Sequence, residues 1–161
     1  MKNVMHKTSN PLSEPVRKDV ISKLNSLLGS SIDLKYVLKQ AHWNVKGAGF
    51  YSTHLLFDLI AGELETAVDD IAERITALGG TALGTIQEAV KSTKLIVYPE
   101  NIFKSTELLS VVAERMAQYI EQIEECLKFA EERGDMSTMD LCTKISELLQ
   151  KRLWFVQAHQ Q

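Results

Sequence analysis

The chain has 161 residues, of which 45% are hydrophobic and three are proline, so it is long enough to form one domain with a buried core. Its net charge of −3 excludes the broadly basic surface that nucleic-acid-binding domains usually present, so any DNA binding must be local. Because the first thirty residues contain no apolar leader and no run of eighteen apolar residues occurs, we expect a cytoplasmic protein with no membrane partner.

Two cysteines, Cys126 and Cys142, lie sixteen positions apart without a CxxC pattern. Each is flanked by sequence of helical periodicity, which more often buries a thiol than oxidises it. We therefore expect free, buried cysteines in a reducing compartment.

The segment 1–14 lacks apolar periodicity and carries Lys2, His6 and Lys7 before its first acidic residue. This pattern predicts a flexible N-terminal tail. The remaining residues, 15–161, are predicted to form the single domain.

Two long helices are predicted in the first half of the domain. Pro15 suits the first turn of a helix, and apolar residues then recur at spacings of three and four until the chain reaches Gly47. Ser52 or Thr53 is the expected N-cap of the second helix, which should end at Gly79.

A long connection follows, at 81–104, with a short helical stretch at 85–92 and a break before Pro99. Two further long helices are predicted after it, from Ser105 to Gly134 and from there to about Ala158. Ser137 and Asp140 are interpreted as a capping box that begins the last helix.

This order of elements predicts an all-α protein with a ferritin-like four-helix bundle. The short turns within each helix pair and the long crossover between the pairs, with its short helix, fit that topology better than an up-down-up-down bundle. Bundles of this kind usually hold two metal ions through Glu-x-x-His motifs, and this sequence contains none. Any metal centre must therefore use other residues.

Four metal-type side chains share one face of the second predicted helix. At 100° per residue, with His54 at zero, Asp58, Asp69 and Glu73 fall at about 40°, 60° and 100°. The midpoints of the pairs His54/Asp58 and Asp69/Glu73 are nevertheless separated by roughly 22 Å along the helix axis. One ion cannot contact both pairs.

A second copy of the chain can complete the site. If its helix runs antiparallel across a two-fold axis, His54 and Asp58 of one chain face Asp69 and Glu73 of the other, which gives two equivalent sites per dimer. Mixed imidazole and carboxylate ligands suit Fe(II), Mn(II) or Zn(II) better than Ca(II) or Mg(II).

A single His or Asp in an amphipathic helix is usually solvated or satisfied at an interface. The four ligand-type residues taken together are less easily explained in this way, because Asp58 and Asp69 interrupt apolar sequence, where an unpaired carboxylate would be costly to bury. A metal would satisfy them. Glu65 falls at about 20° on the same face, and we interpret it as solvated rather than as an accessory ligand.

The sequence closely resembles the Dps family of bacterial mini-ferritins over essentially its whole length. The resemblance rests on six short motifs: HWNVKG at 42–47, HLLFD at 54–58, DDIAER at 69–74, ALGG at 77–80, ALGT at 82–85 and LWF at 153–155. Such a combination is highly specific.

The resemblance implies a ferroxidase centre between two chains. His42, His54 and Asp58 would come from one subunit, and Asp69 and Glu73 from its two-fold mate. Iron is then the expected metal, with Zn(II) as a possible competitor. The family further implies a hollow shell of twelve subunits that oxidises Fe(II), preferentially with hydrogen peroxide, stores the ferric mineral and so protects DNA from Fenton chemistry.

Two aromatic residues and an acidic turn are less specific signals. Trp43 and Trp154 are expected to be core or interface residues, although the resemblance also places Trp43 beside the centre as a possible electron donor. The turn between the last two helices is either a solvated cap or part of a pore for iron, with Asp140 the best candidate and Lys144 weakening the case. Its acidic residues are Glu131, Glu132, Asp135 and Asp140.

DNA binding is expected to be weak, salt-dependent and independent of sequence. The tail offers only Lys2, Lys7 and the terminal amine, although many copies on one shell would add their phosphate contacts. Two alternatives to a ferroxidase remain open. One is a non-enzymatic DNA-compacting protein whose metal only cements the dimer, and the other is a plain helical interaction module.

Overall fold

Residues 4–161 are described by the computed structural model, and within that range the chain is helical, with no strand beyond an isolated bridge between Lys46 and Lys104. Four long helices and one short helix form, as predicted. They are α1 (Glu14–Asn44), α2 (Phe50–Ala77), α3 (Ile86–Ser92), α4 (Ser105–Glu132) and α5 (Met136–Ala158).

The long helices pack as two pairs around one apolar core. α1 packs against α2 and α4, α5 packs against α4, and α3 lies on α1 in the long crossover. The apolar residues spaced three and four apart point inward, and their burial is the main stabilising term, at roughly 1.5–3 kcal/mol for a fully buried large side chain. The largest fully buried side chains include Tyr119, Phe57, Ile21, Leu24, Leu34, Ile60 and Leu64.

The start of α2 differs from the prediction by three to four residues. Gly49 is the N-cap, with a φ of 80°, and neither Ser52 nor Thr53 caps the helix. The Ser52 hydroxyl donates to the Gly49 carbonyl and Thr53 is buried in the first turn. Glycine can adopt this left-handed conformation without strain, so the helix starts as soon as the turn is complete.

The predicted capping box of α5 is wrong, because Asp135 is the N-cap. Its carboxylate accepts hydrogen bonds from the Thr138 amide at 3.0 Å and the Thr138 hydroxyl at 2.6 Å. Arg74, near the end of α2, donates to Asp135 at 2.6 Å and to the Thr138 hydroxyl at 2.9 Å. This buried ion pair fixes the end of α2 to the turn between α4 and α5.

The N-terminal segment differs from the predicted flexible tail where residues 6–12 lie against the bundle. The His6 amide donates to the Gly79 carbonyl at 2.8 Å. The Arg17 guanidinium donates to the carbonyls of Leu12 and Leu78. The Leu78 and Gly79 carbonyls lie just beyond the end of α2, where no helical amide reaches them, and apolar periodicity does not reveal such contacts. Residues 1–3, and with them Lys2, lie outside the described residues.

Two further expectations concern the cysteines and the membrane. Cys126 and Cys142 are both free and buried, as predicted. Within residues 4–161, none of the helices combines the length and the apolar character that are needed to cross a bilayer.

Replacing Gly79 with alanine should release the N-terminal segment. Gly79 has a φ of 86°, and an added Cβ would lie 2.7 Å from the His6 carbonyl oxygen. We expect a loss of about 1–2 kcal/mol from the backbone conformation alone, and faster tryptic cleavage after Lys7.

Gly134→Ala is the matched control. Gly134 also has a positive φ, of 71°, but an added Cβ would meet nothing within 4 Å. Equal cleavage rates at Lys7 in both variants would show that Gly79 does not hold the segment.

Candidate metal centre

Two histidines from different helices form the centre of the candidate site. The Nδ1 atom of His42 lies 2.8 Å from the His54 carbonyl oxygen, and the Nδ1 atom of His54 lies 2.9 Å from the His42 carbonyl oxygen. The rings stack with their centroids 3.7 Å apart and their planes 20° apart. Because a carbonyl can only accept, each Nδ1 must donate, which leaves each neutral Nε2 with a lone pair for a metal.

The short turn between α1 and α2 makes this exchange possible. The Lys46 amide donates to the Phe103 carbonyl at 2.8 Å instead of continuing α1, so the His42 carbonyl is left for His54. Gly47 and Gly49 both have positive φ values, which reverse the chain within a few residues. Ser105, at the start of α4, holds the turn by donating to the Ala48 carbonyl at 2.8 Å.

Asp58 lies one helical turn beyond His54, on the outer face of α2. Its carboxylate Oδ1 accepts a hydrogen bond from Lys39 Nζ on α1 at 2.7 Å. This hydrogen bond and the charge of the Lys39 ammonium group lower the pKa of Asp58 below its ordinary value, with smaller contributions from His42 and His54. The Asp58 carboxylate is therefore ionised, with the Lys39 ammonium group as its partner.

Asp69 and Glu73 lie further along the same face and are exposed. Among residues 4–161 neither carboxylate has a hydrogen-bond or ion-pair partner, and no group of three or more His, Cys, Asp or Glu side chains is placed to hold a metal. One chain thus brings His42 and His54 together, with Asp58 beside them. The pair Asp69/Glu73 stays apart, because its midpoint is about four helical turns from that of His54/Asp58.

The outer face of α2, which carries Asp58 and Asp69, is open in the single chain. Asp58 has 51% of its side chain exposed. Leu55 and Leu59, which flank it, are each 47% exposed. Large apolar side chains among ionised carboxylates on an open surface are typical of a face that another molecule covers.

Both tryptophans are on the surface of the single chain, each 63% exposed, so neither is a core residue. Trp43 lies beside the histidines, with its ring centroid 5.8 Å from Lys39 Nζ. Glu65 is exposed and forms an ion pair with Lys35, so it is paired as well as solvated.

The structure removes one residue from the proposed acidic pore. Asp135 is buried and committed to Arg74 and Thr138, so it cannot line an opening. Asp140 is exposed and lies 2.9 Å from Lys144, which partly neutralises it.

Sequence reasoning missed Lys39. The available signal was its position three residues before His42, which places both side chains on neighbouring turns of α1. Its bond to Asp58 depends on how α1 and α2 pack, and no pattern within one helix shows that.

Comparisons with known proteins agree with this architecture. Residues 21–161 match the model of the ferritin-like domain. A DNA protection during starvation protein from Agrobacterium fabrum is 43% identical over 156 residues, which cover 97% of this chain and 96% of that protein. The chain belongs to the Dps family of ferritin-like proteins.

Solved structures of other Dps proteins are similar throughout. Mycobacterium smegmatis Dps in its tetragonal form has a TM-score of 0.91 at 29% identity, over 95% of this chain and 93% of that one. The Dps protein of Vibrio cholerae O1, a ferritin-like diiron-carboxylate protein, has a TM-score of 0.90 at 22% identity, over 99% and 100% of the two chains. This last likeness shows the fold alone.

Proposed function

We propose that this Dps-family protein oxidises Fe(II) at a centre shared by two chains. His42, His54 and Asp58 would come from one chain, and Asp69 and Glu73 from its two-fold mate. The observation that carries the proposal is the reciprocal bonding of the two histidines, which leaves both Nε2 atoms available beside an ionised carboxylate.

The antiparallel alignment that places the two ligand pairs opposite each other also suits other residues on this face of α2. Placing His54 opposite the mate's Glu73 puts the axis near residues 63–64 and sets exposed Leu55 level with the mate's Ala72 on the same face. Gly62 then lies beside the axis, where an added Cβ would meet nothing within 4 Å and two helices can approach closely. The apolar contacts would cover the leucines that the single chain exposes.

The ligand set suits iron oxidation. Neutral imidazoles and carboxylates bind Fe(II), and the carboxylates stabilise the more highly charged Fe(III) product. Two Fe(II) ions supply the two electrons that reduce hydrogen peroxide and two protons to two water molecules. Paired electron delivery avoids the hydroxyl radical that a single Fe(II) would release.

Family membership supports the remaining parts of the proposal. These are a shell of twelve subunits, storage of the ferric product, a preference for hydrogen peroxide over dioxygen, a cytoplasmic location, and Zn(II) as a competitor for the same ligands. The free, buried cysteines fit a reducing compartment.

The first test is anaerobic loading with Fe(II), followed by one hydrogen peroxide per two Fe(II). We expect rapid growth of ferric absorbance and no trapped hydroxyl radical in the wild type. In H42A/H54A the absorbance should grow slowly and hydroxyl radical should be trapped, because the imidazole ligands are gone. Glu65→Gln, on the same face but outside the ligand set, is the control and should behave like the wild type. Equal rates in wild type and H42A/H54A would reject the centre.

Mixing two inactive variants tests whether the site spans two chains. H42A/H54A and D69A/E73A should each lose rapid oxidation. In a mixed dimer one site has lost all four substituted ligands and the other is intact, so random co-assembly should restore about one quarter of the wild-type sites. Differently tagged chains allow the mixed assembly to be purified and its iron stoichiometry measured. A site within one chain would give no recovery.

We further propose weak, sequence-independent DNA binding through the N-terminal segment, in keeping with the name of the Agrobacterium relative. Lys7 is exposed, and Lys2 lies outside the described residues. Gel shifts at low salt should show binding that disappears as salt rises, because released counterions drive phosphate contacts. K2A/K7A should abolish the shift. Binding that survives this change would place the DNA site elsewhere, and no shift at low salt would reject DNA binding.

A further inference from the structure

Two lysines of α1 pair with carboxylates on the outer face of α2. Lys39 bonds to Asp58, and Lys35, one turn earlier, pairs with Glu65. Both lysine side chains are largely covered, at 26% and 22% exposure, so their charges are held against this face rather than extended into solvent. One of the two carboxylates, that of Asp58, belongs to the proposed iron ligands.

The aromatic ring of Trp43 is a second possible partner for the Lys39 ammonium group. The Lys39 Nζ atom is 5.8 Å from the centroid of the Trp43 ring, within the range of a cation–π interaction. The Trp43 ring is exposed, so the lysine can reach its face. Because the Nζ atom is already within reach of the ring while it bonds to Asp58, a small rotation of the side chain would move the charge off the carboxylate and closer to the ring.

We propose that Lys39 is a displaceable cation that occupies the Asp58 carboxylate before metal binds and moves to the face of Trp43 when metal arrives. The inference rests on the proposed iron centre and names the residue that tunes its affinity. Lys39 is thus a positioning residue, because it acts on the metal only through Asp58.

Charge balance explains why the lysine is useful before metal binds. The proposed two-chain site gathers the carboxylates of Asp58, Asp69 and Glu73, and these repel one another in the absence of a cation. The Lys39 ammonium group offsets part of this repulsion, so two chains can associate before they load iron.

Charge balance also explains why the lysine must leave. A divalent ion on the free Oδ2 atom of Asp58 would lie close to an ammonium group held at Oδ1, and the two cations repel strongly in a partly desolvated site. Competition between the lysine and the metal follows. Metal therefore binds less tightly than it would to the same ligands without Lys39, and the Asp58 carboxylate is freed only when an ion replaces the lysine.

Zn(II) is the probe for the test, since it binds the same ligand types without redox chemistry. The assembled full-length protein is titrated by calorimetry, and Trp43 fluorescence is recorded in a Trp154→Phe background. Lys39→Met should bind Zn(II) about two- to fivefold more tightly, the range expected when a partly exposed ion pair no longer competes. Lys39→Arg should bind Zn(II) more weakly, because its two-pronged donor group holds a carboxylate more firmly.

Lys35→Met is the matched control. Lys35 has the same pairing with a carboxylate and lies 5.4 Å from the Tyr36 ring, but Glu65 is not a proposed ligand. Its Zn(II) affinity should stay within about twofold of the wild type, since a more distant charge is screened by solvent. Zn(II) should change Trp43 fluorescence in the wild type and leave it nearly unchanged in Lys39→Met.

Two results would overturn the inference. Equal or weaker Zn(II) binding by Lys39→Met would show that the lysine does not compete with the metal, and an equal gain in Lys35→Met would reduce the effect to general electrostatics. Failure of the iron centre itself is seen separately, as undiminished Zn(II) binding by H42A/H54A. Size-exclusion chromatography checks assembly, and Lys39→Gln replaces the methionine variant if that one does not assemble.

Discussion

The candidate centre depends on one interaction, the exchange of hydrogen bonds between His42 and His54. The Nδ1 atom of each ring donates to a backbone carbonyl of the opposite helix, at the end of α1 and the start of α2, so backbone groups orient both rings. The same bonds set the tautomer of both rings and therefore decide which nitrogen faces a metal. A histidine held only by packing would leave both choices open.

The core explains why the chemistry lies on the surface of the bundle. Its interior is filled mainly by apolar side chains, and the buried hydroxyls of Ser31 and Tyr119 are hydrogen-bonded to each other at 2.6 Å. Burial raises the pKa of Tyr119 well above its ordinary value, so this hydroxyl stays neutral. Ionised ligands are far less costly on the face of α2, where water or a second chain can surround them.

Much of this architecture could be predicted because it follows from periodicity. The spacing of apolar residues marked four long helices, and the i,i+4 spacing of ligand types marked the face of α2. The errors arose where contacts between distant parts of the sequence determine helix caps and side-chain exposure. The N-cap role of Asp135 could not be predicted, because it depends on an ion pair with Arg74, sixty-one residues away. The exposure of Leu55 and Leu59 could not be predicted either, because the sequence pattern is the same for an apolar residue that packs within a chain and for one that packs between chains.

A centre that is divided between two chains couples assembly to chemistry. In a single chain the histidines and Asp58 provide three donors at most, while Asp69 and Glu73 are hydrated some 22 Å away along the helix. Metal that binds the complete set adds its binding free energy to the association of the chains, and association in turn raises the affinity for metal. If iron is oxidised at the proposed centre, isolated chains would be poor oxidation sites, and iron chemistry would be confined to assembled protein.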